Sequence, residues 1–94
     1  MEKNVEQLSM EAAEAWVRSG IIVPRKTVNK KMNSYGLKHI AEQMQGTYIS
    51  NDALIKAMQD AGYKATRLQN SPNCFFNFSW TQRKKWFLER GVAI

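Results

Sequence analysis

Side chains able to do covalent or metal chemistry are scarce in this sequence. His39 and Cys74 are its single histidine and single cysteine. A zinc site takes four protein ligands, or three and a water, so these two cannot build one by themselves. Cys74 opens the aromatic run CFFNFSW, where a small buried group is expected rather than a nucleophile. His39 follows Lys38 on a helical stretch and is expected at or near the surface. Asp52 and Asp60 stand eight positions apart on one helix, where they are expected to be solvated rather than paired for acid–base work. No glycine-rich phosphate loop is present. The expectation is a protein that is not an enzyme and uses no cofactor or metal.

The chemistry the residues do offer is cationic. Fourteen Lys and Arg against eight Asp and Glu leave a net charge of +6 on 94 residues. That balance favours an anionic partner, either nucleic acid or an acidic protein surface. It also excludes a protein that imitates DNA, which would have to be acidic. Four of the nine residues at 25–33 are cationic and none is acidic. They include Lys26, Lys30 and Lys31, and read as a loop or arm that tracks phosphates. Lys64, Arg67, Gln69, Asn70 and Asn73 form a second acid-free group, and Lys38 is placed to flank it. The plainer reading of all these cations is a solvated face that keeps the protein soluble.

The residues that would position these groups run from Ser34 to Ser79 and read helix, turn, helix, hairpin. Ser50 is a good N-cap for the second helix of the pair. Asp52 in its first turn suits the helix dipole. Leu54, Ile55, Met58 and Ala61 make its apolar stripe. Gly62 is placed for a left-handed C′ position, with Tyr63 and Met58 as the apolar pair of a Schellman end. The preceding helix carries Leu37, Ile40, Ala41 and Met44, with Asn33 or Ser34 as cap and Gly46 as terminator. After Gly62 the helical period is lost. Residues 63–69 lead to the turn cluster Asn70-Ser71-Pro72-Asn73. Phe76, Phe78 and Trp80 then alternate on one face, as in a strand. The fold class that follows is α+β, winged helix-turn-helix-like, with three to four helices and a β-hairpin wing in the C-terminal half. The second helix would then enter a major groove, presenting Asn51, Asp52, Lys56, Gln59 and Asp60. Asn and Gln can read adenine, but two aspartates near phosphates make this helix a poor one by charge.

The flanks complete a single domain over 1–94. Residues 1–20 form a supporting helix, with Asn4 and Gln7 as a capping box and Val5, Leu8, Ala12, Ala15 and Trp16 as its buried stripe. Its acidic side, Glu2, Glu6, Glu11 and Glu14, faces water, or alternatively meets the basic face of a second copy. Ile21–Val23 is a short strand closed by Pro24, and residues 25–33 the basic arm. Residues 34–62 are the helix pair and 63–79 the wing. Residues 80–94 are a C-terminal helix beginning at Trp80. There, Trp86, Phe87 and Leu88 are consecutive and spread over more of a helix than one chain can cover. With Arg83 and the tail to Ile94 they point to a partner or homodimer contact. No apolar run approaches the roughly 20 residues of a membrane span. One cysteine and no signal-peptide pattern point to a reducing cytoplasm.

The segments SYGLKHIAEQ, YISNDALIKAMQDAGYK and SPNCFFNFS resemble small winged-helix-like proteins of bacteriophages and other bacterial mobile elements. The resemblance covers Arg25 to Ser79. It implies a cytoplasmic protein of a bacterial or phage-infected cell, without enzymatic activity. Such proteins include transcription regulators and inhibitors of host systems, anti-CRISPR proteins among them. The expected function is nucleic-acid binding, with duplex DNA as first partner. One alternative is an inhibitor that binds a host protein complex through a basic and aromatic surface. Another is single-stranded RNA binding, with Phe75 or Phe78 stacking on bases, although CFFNFSW lacks the glycines of an RRM signature.

Overall fold

Asn4 caps the first helix as its sequence predicts. Its side chain accepts a hydrogen bond from Gln7 N–H at 2.8 Å, and Asn4 N–H donates to Gln7 Oε1 at 2.9 Å. The computed structural model describes residues 3–82. In chain order these form α1 (Val5–Arg18), β1 (Ile22–Asn29), α2 (Ser34–Gln45), α3 (Asn51–Asp60), β2 (Ala65–Arg67) and β3 (Cys74–Trp80). Three helices pack against a three-stranded antiparallel sheet of order β1-β3-β2.

The central helix pair forms where its caps predict. Asn33 caps α2 by accepting from Gly36 N–H, and Ser50 caps α3 by accepting from Ala53 N–H. Gly46 ends α2 in the left-handed conformation, φ 69°. At the end of α3, Tyr63 N–H reaches Met58 C=O at 3.0 Å and Gly62 N–H reaches Gln59 C=O at 3.0 Å. Those two bonds are a Schellman motif, and Gly62 supplies its left-handed residue at φ 95°. Met58 and Tyr63 are both buried beside it.

β3 is the central strand. Cys74, Phe76 and Phe78 point inward and are fully buried, and Trp80 is half-buried behind them. They meet Trp16 of α1, Leu37 and Ala41 of α2, and Leu54 and Met58 of α3 in one core. The buried Trp16 indole N–H points at Met44 Sδ, 3.1 Å away. Burying a phenylalanine of this kind contributes roughly 1.5–3 kcal/mol, so the aromatic alternation of β3 fixes which side of the sheet the helices take.

Three expectations are corrected. First, α1 buries Ser9, Ala12, Ala13, Trp16 and Val17, whereas Val5 and Leu8 are 65% and 47% exposed and Ala15 is exposed. The helix is rolled so that the Ser9 hydroxyl can accept Ser50 N–H at 2.8 Å, joining α1 to the start of α3. Second, residues 25–29 continue β1 beyond Pro24 instead of forming a loose arm. β1 is an edge strand, where a missing N–H is tolerated. Its register with β3 shifts between Pro24↔Phe78 and Asn29↔Phe76, so a wide bulge lies between them. Third, Trp80 ends β3 and pairs with Ile22, rather than opening a helix. The rest of the expected C-terminal helix lies outside the described residues.

Gly62→Ala tests the turn between α3 and the hairpin. A Cβ there would meet no atom within 4 Å, so the penalty is backbone strain alone. Stability should fall by about 1 kcal/mol or more, read as a lower urea midpoint at unchanged m-value.

Candidate nucleic-acid interface

The outward side of β3 carries Phe75, Asn77 and Ser79, all half-buried. Asn77 organises this side. Its Nδ2 donates to the Arg25 carbonyl at 2.8 Å, and its Oδ1 accepts from Lys64 N–H at 2.7 Å. One side-chain amide of the central strand therefore holds backbone from both edges of the sheet. Arg25 belongs to β1 and Lys64 leads into β2, so two cationic residues are drawn to either side of Asn77. A second asparagine secures the bulge. Asn29 Nδ2 donates to the Phe78 carbonyl at 3.2 Å, and its Oδ1 accepts from Lys31 N–H at 3.0 Å. Arg25 itself curls back, with Nε on the Thr27 carbonyl and Nη2 on the Val28 carbonyl. These bonds satisfy backbone groups that the bulge removes from the ladder.

The sheet and its hairpin hold no carboxylate. Every acid among the described residues sits on a helix: Glu6, Glu11 and Glu14 on α1, Glu42 on α2, Asp52 and Asp60 on α3. Arg25, Lys26, Lys30 and Lys31 on and after β1, with Lys64 and Arg67 beside and on β2, are exposed. None of these six forms an ion pair among the described residues. Charge is thus sorted by secondary structure, and the strands with their connecting segments are net positive.

The hairpin tip is tied to α3. Arg67 Nη1 donates to the Pro72 carbonyl at 3.2 Å, closing the turn and leaving the rest of its guanidinium outward. Asn70 occupies the left-handed position of the turn at φ 59° and is exposed. Asn51 Nδ2 donates to Asn73 Oδ1 at 3.0 Å. The amide that the sequence offers for reading adenine is therefore engaged in fastening α3 to the hairpin. Lys56 and Gln59 are exposed on α3, with Lys56 Nζ 3.7 Å from Asp60.

Lys38 departs furthest from its expected place. It is buried, its ammonium 2.6 Å from Glu42 Oε1 and 5.4 and 5.1 Å from the ring centres of Tyr35 and Tyr48. A paired ammonium between two aromatic faces is not free to flank a phosphate. Phe78 is likewise fully buried and cannot stack on a base, whereas Phe75 stays half-buried on the outward side of β3. Arg83, Trp86, Phe87, Leu88 and Ile94 lie outside the described residues. Among the described residues no three His, Cys, Asp or Glu side chains cluster as metal ligands would. No helix there is long and apolar enough to cross a membrane. What the sequence reading missed is Asn77 and Asn29. A polar residue inside a strand is the signal that could have found them.

Glu42 joins α2 to the segment entering α3, since Oε1 also accepts Ile49 N–H at 3.3 Å. Its burial would raise its pKa, but Lys38, the Ile49 N–H and His39 together outweigh that and hold it below the ordinary value. A depressed carboxylate adds stability that is present above its unfolded pKa and lost as pH falls through the folded one. Glu42→Gln should therefore destabilise the protein at neutral pH and flatten its stability loss on acidification. Urea midpoints measured from pH 7 down to acid check this; a variant whose acid limb parallels the wild type would refute it.

Comparison with known proteins returns no match to a family model, to a curated protein or to a solved structure.

Proposed function

We propose that the protein binds nucleic acid, duplex DNA in the first place, as a winged-helix-like module whose wing and first strand do most of the binding. The observation that carries this reading is the sorting of charge: Arg25, Lys26, Lys30, Lys31, Lys64 and Arg67 lie exposed on the strands and the segments next to them, with every described acid on a helix. The order of two capped helices followed by a hairpin, with β3 between β1 and β2, supports the winged-helix description. In this reading the cations hold phosphates, which position a protein without specifying sequence. α3 adds little base reading, because Asn51 is tied to the hairpin and Lys56 leans toward Asp60. Binding would be general and governed by salt, as a phage or mobile-element regulator with modest sequence preference would show.

A second reading has its own observation. Tyr35 and Tyr48 are 51% and 56% exposed on either side of the buried Lys38. Exposed tyrosines over a fixed cation are the kind of anchor found at protein interfaces. They favour an inhibitor that docks on a host protein. The two readings separate by mutation, because the tyrosines lie on α2 and its following segment and the cations lie on the sheet.

Fluorescence anisotropy with a random duplex tests the first reading. Each pair of neutralised phosphates should lower affinity about tenfold for a fourfold rise in salt. Lys64→Glu with Arg67→Glu should abolish binding, while Tyr35→Ala should leave it intact. Absence of binding at about 50 mM salt, where phosphate contacts are strong, would sink the nucleic-acid reading and send the search to an acidic protein partner.

A further inference from the structure

The exposed half of α1 has a counterpart in the chain's own C-terminal sequence. A groove of about 410 Å³ runs between the N-terminal turns of α1 and α3, lined by Val5, Glu6, Met10, Tyr48 and Asp52 among others. Its apolar side chains are unusually open: Val5 is 65% and Tyr48 56% exposed. Its charged groups are mainly acidic. Glu6 and Asp52 face solvent without an ion pair among the described residues, and the one lysine in the lining, Lys56, leans toward Asp60 at 3.7 Å. An apolar groove rimmed by carboxylates calls for a ligand that is both apolar and cationic.

We propose that residues 83–94 of a second copy of this chain occupy this groove. That segment reads RKKWFLERGVAI. It opens with three consecutive cations, Arg83, Lys84 and Lys85, and continues with three consecutive large apolar residues, Trp86, Phe87 and Leu88. The cations match Glu6 and Asp52, and the apolar triplet matches Val5, Met10 and Tyr48. The described chain ends at Gln82, just after Thr81 donates to the Gly20 carbonyl at 2.6 Å. The segment therefore leaves from the C-terminal end of α1, while the groove lies at the N-terminal end of the same helix. Exchange between two copies, each giving its segment and receiving the other's, makes a closed two-fold dimer with both grooves filled. The proposal is independent of whether the sheet side binds nucleic acid.

Charge reversal tests it on the full chain. One variant carries Glu6→Lys and Asp52→Lys; the other carries Lys84→Glu and Lys85→Glu. Masses are measured by light scattering at about 100 μM, well above the Kd of a standard-size interface. Wild type should run at twice the 10.8 kDa of one chain, and each variant alone at the single-chain mass. An equimolar mixture of the two should regain the doubled mass, because each groove then meets a segment of opposite charge. A third variant, Val5→Ser, removes apolar contact at an exposed position of the groove and should also be monomeric with an unchanged circular dichroism spectrum. It decides the matter if a charge variant does not fold. A monomeric wild type, variants that stay dimeric, or a mixture that stays monomeric would each overturn the proposal.

Discussion

Phe76 and Phe78 are the side chains against which the rest of the molecule settles. They lie on the one strand with neighbours on both edges, and they are fully buried against Trp16, Leu37, Leu54 and Met58. A strand's side chains alternate, so committing these two inward commits Phe75, Asn77 and Ser79 outward. That single choice places Asn77 between the two edge strands. Without the aromatic pair inside, no register would put an amide where it can hold the Arg25 carbonyl and the Lys64 N–H at once. The placement of Arg25 and Lys64 beside Asn77 is thus a consequence of core packing on the opposite side.

Polar residues at the buried joints do complementary work. Ser9 accepts Ser50 N–H, Ser34 accepts Cys74 N–H, and Glu42 accepts Ile49 N–H. The first two join elements far apart along the chain, and the third ties α2 to the segment that enters α3. A buried N–H left unpaired costs about 1–3 kcal/mol, so these bonds specify how the helices and the sheet sit on one another. Apolar contact alone would tolerate small slides. The hydroxyls and carboxylate fix the angle of α1 to α3 and the path between α2 and α3.

Local signals in the sequence were read well where they act within a few residues. The capping box of Asn4 and Gln7, the Ser50 cap and the Gly62 end depend on short-range hydrogen bonds and on φ, and all are present. The alternation of β3 was legible because three aromatics at a spacing of two leave no other face. The failures are tertiary. Ser9 is not part of the apolar stripe expected for α1, because nothing in the sequence shows that Ser50 N–H needs it. Pro24 looked like a strand end, because that inference does not know that β1 lies at the sheet edge. Lys38 looked like a surface cation, since its aromatic neighbours Tyr35 and Tyr48 come from opposite ends of the helix–segment unit. In the candidate site, the acid-free groups at 25–33 and 64–73 were legible in the sequence, but the confinement of every described acid to a helix was not.

Charge sorting of this kind also constrains assembly. A chain with a positive sheet side and acids gathered on α1 and α3 has two surfaces that attract each other but cannot meet within one copy, since α1 and α3 pack on the sheet's inward side. Contacts between copies are steered accordingly. If sheet met helices directly, each association would cover the exposed cations of the strands and could continue as an open chain of copies. If, as proposed, residues 83–85 of a second copy supply the matching cations, that conflict is avoided and Arg25, Lys26, Lys64 and Arg67 stay exposed. A dimer closed in this way would present two basic sheet sides at a fixed separation, and neutralising phosphates at both would steepen the dependence of affinity on salt beyond what one copy's cations supply.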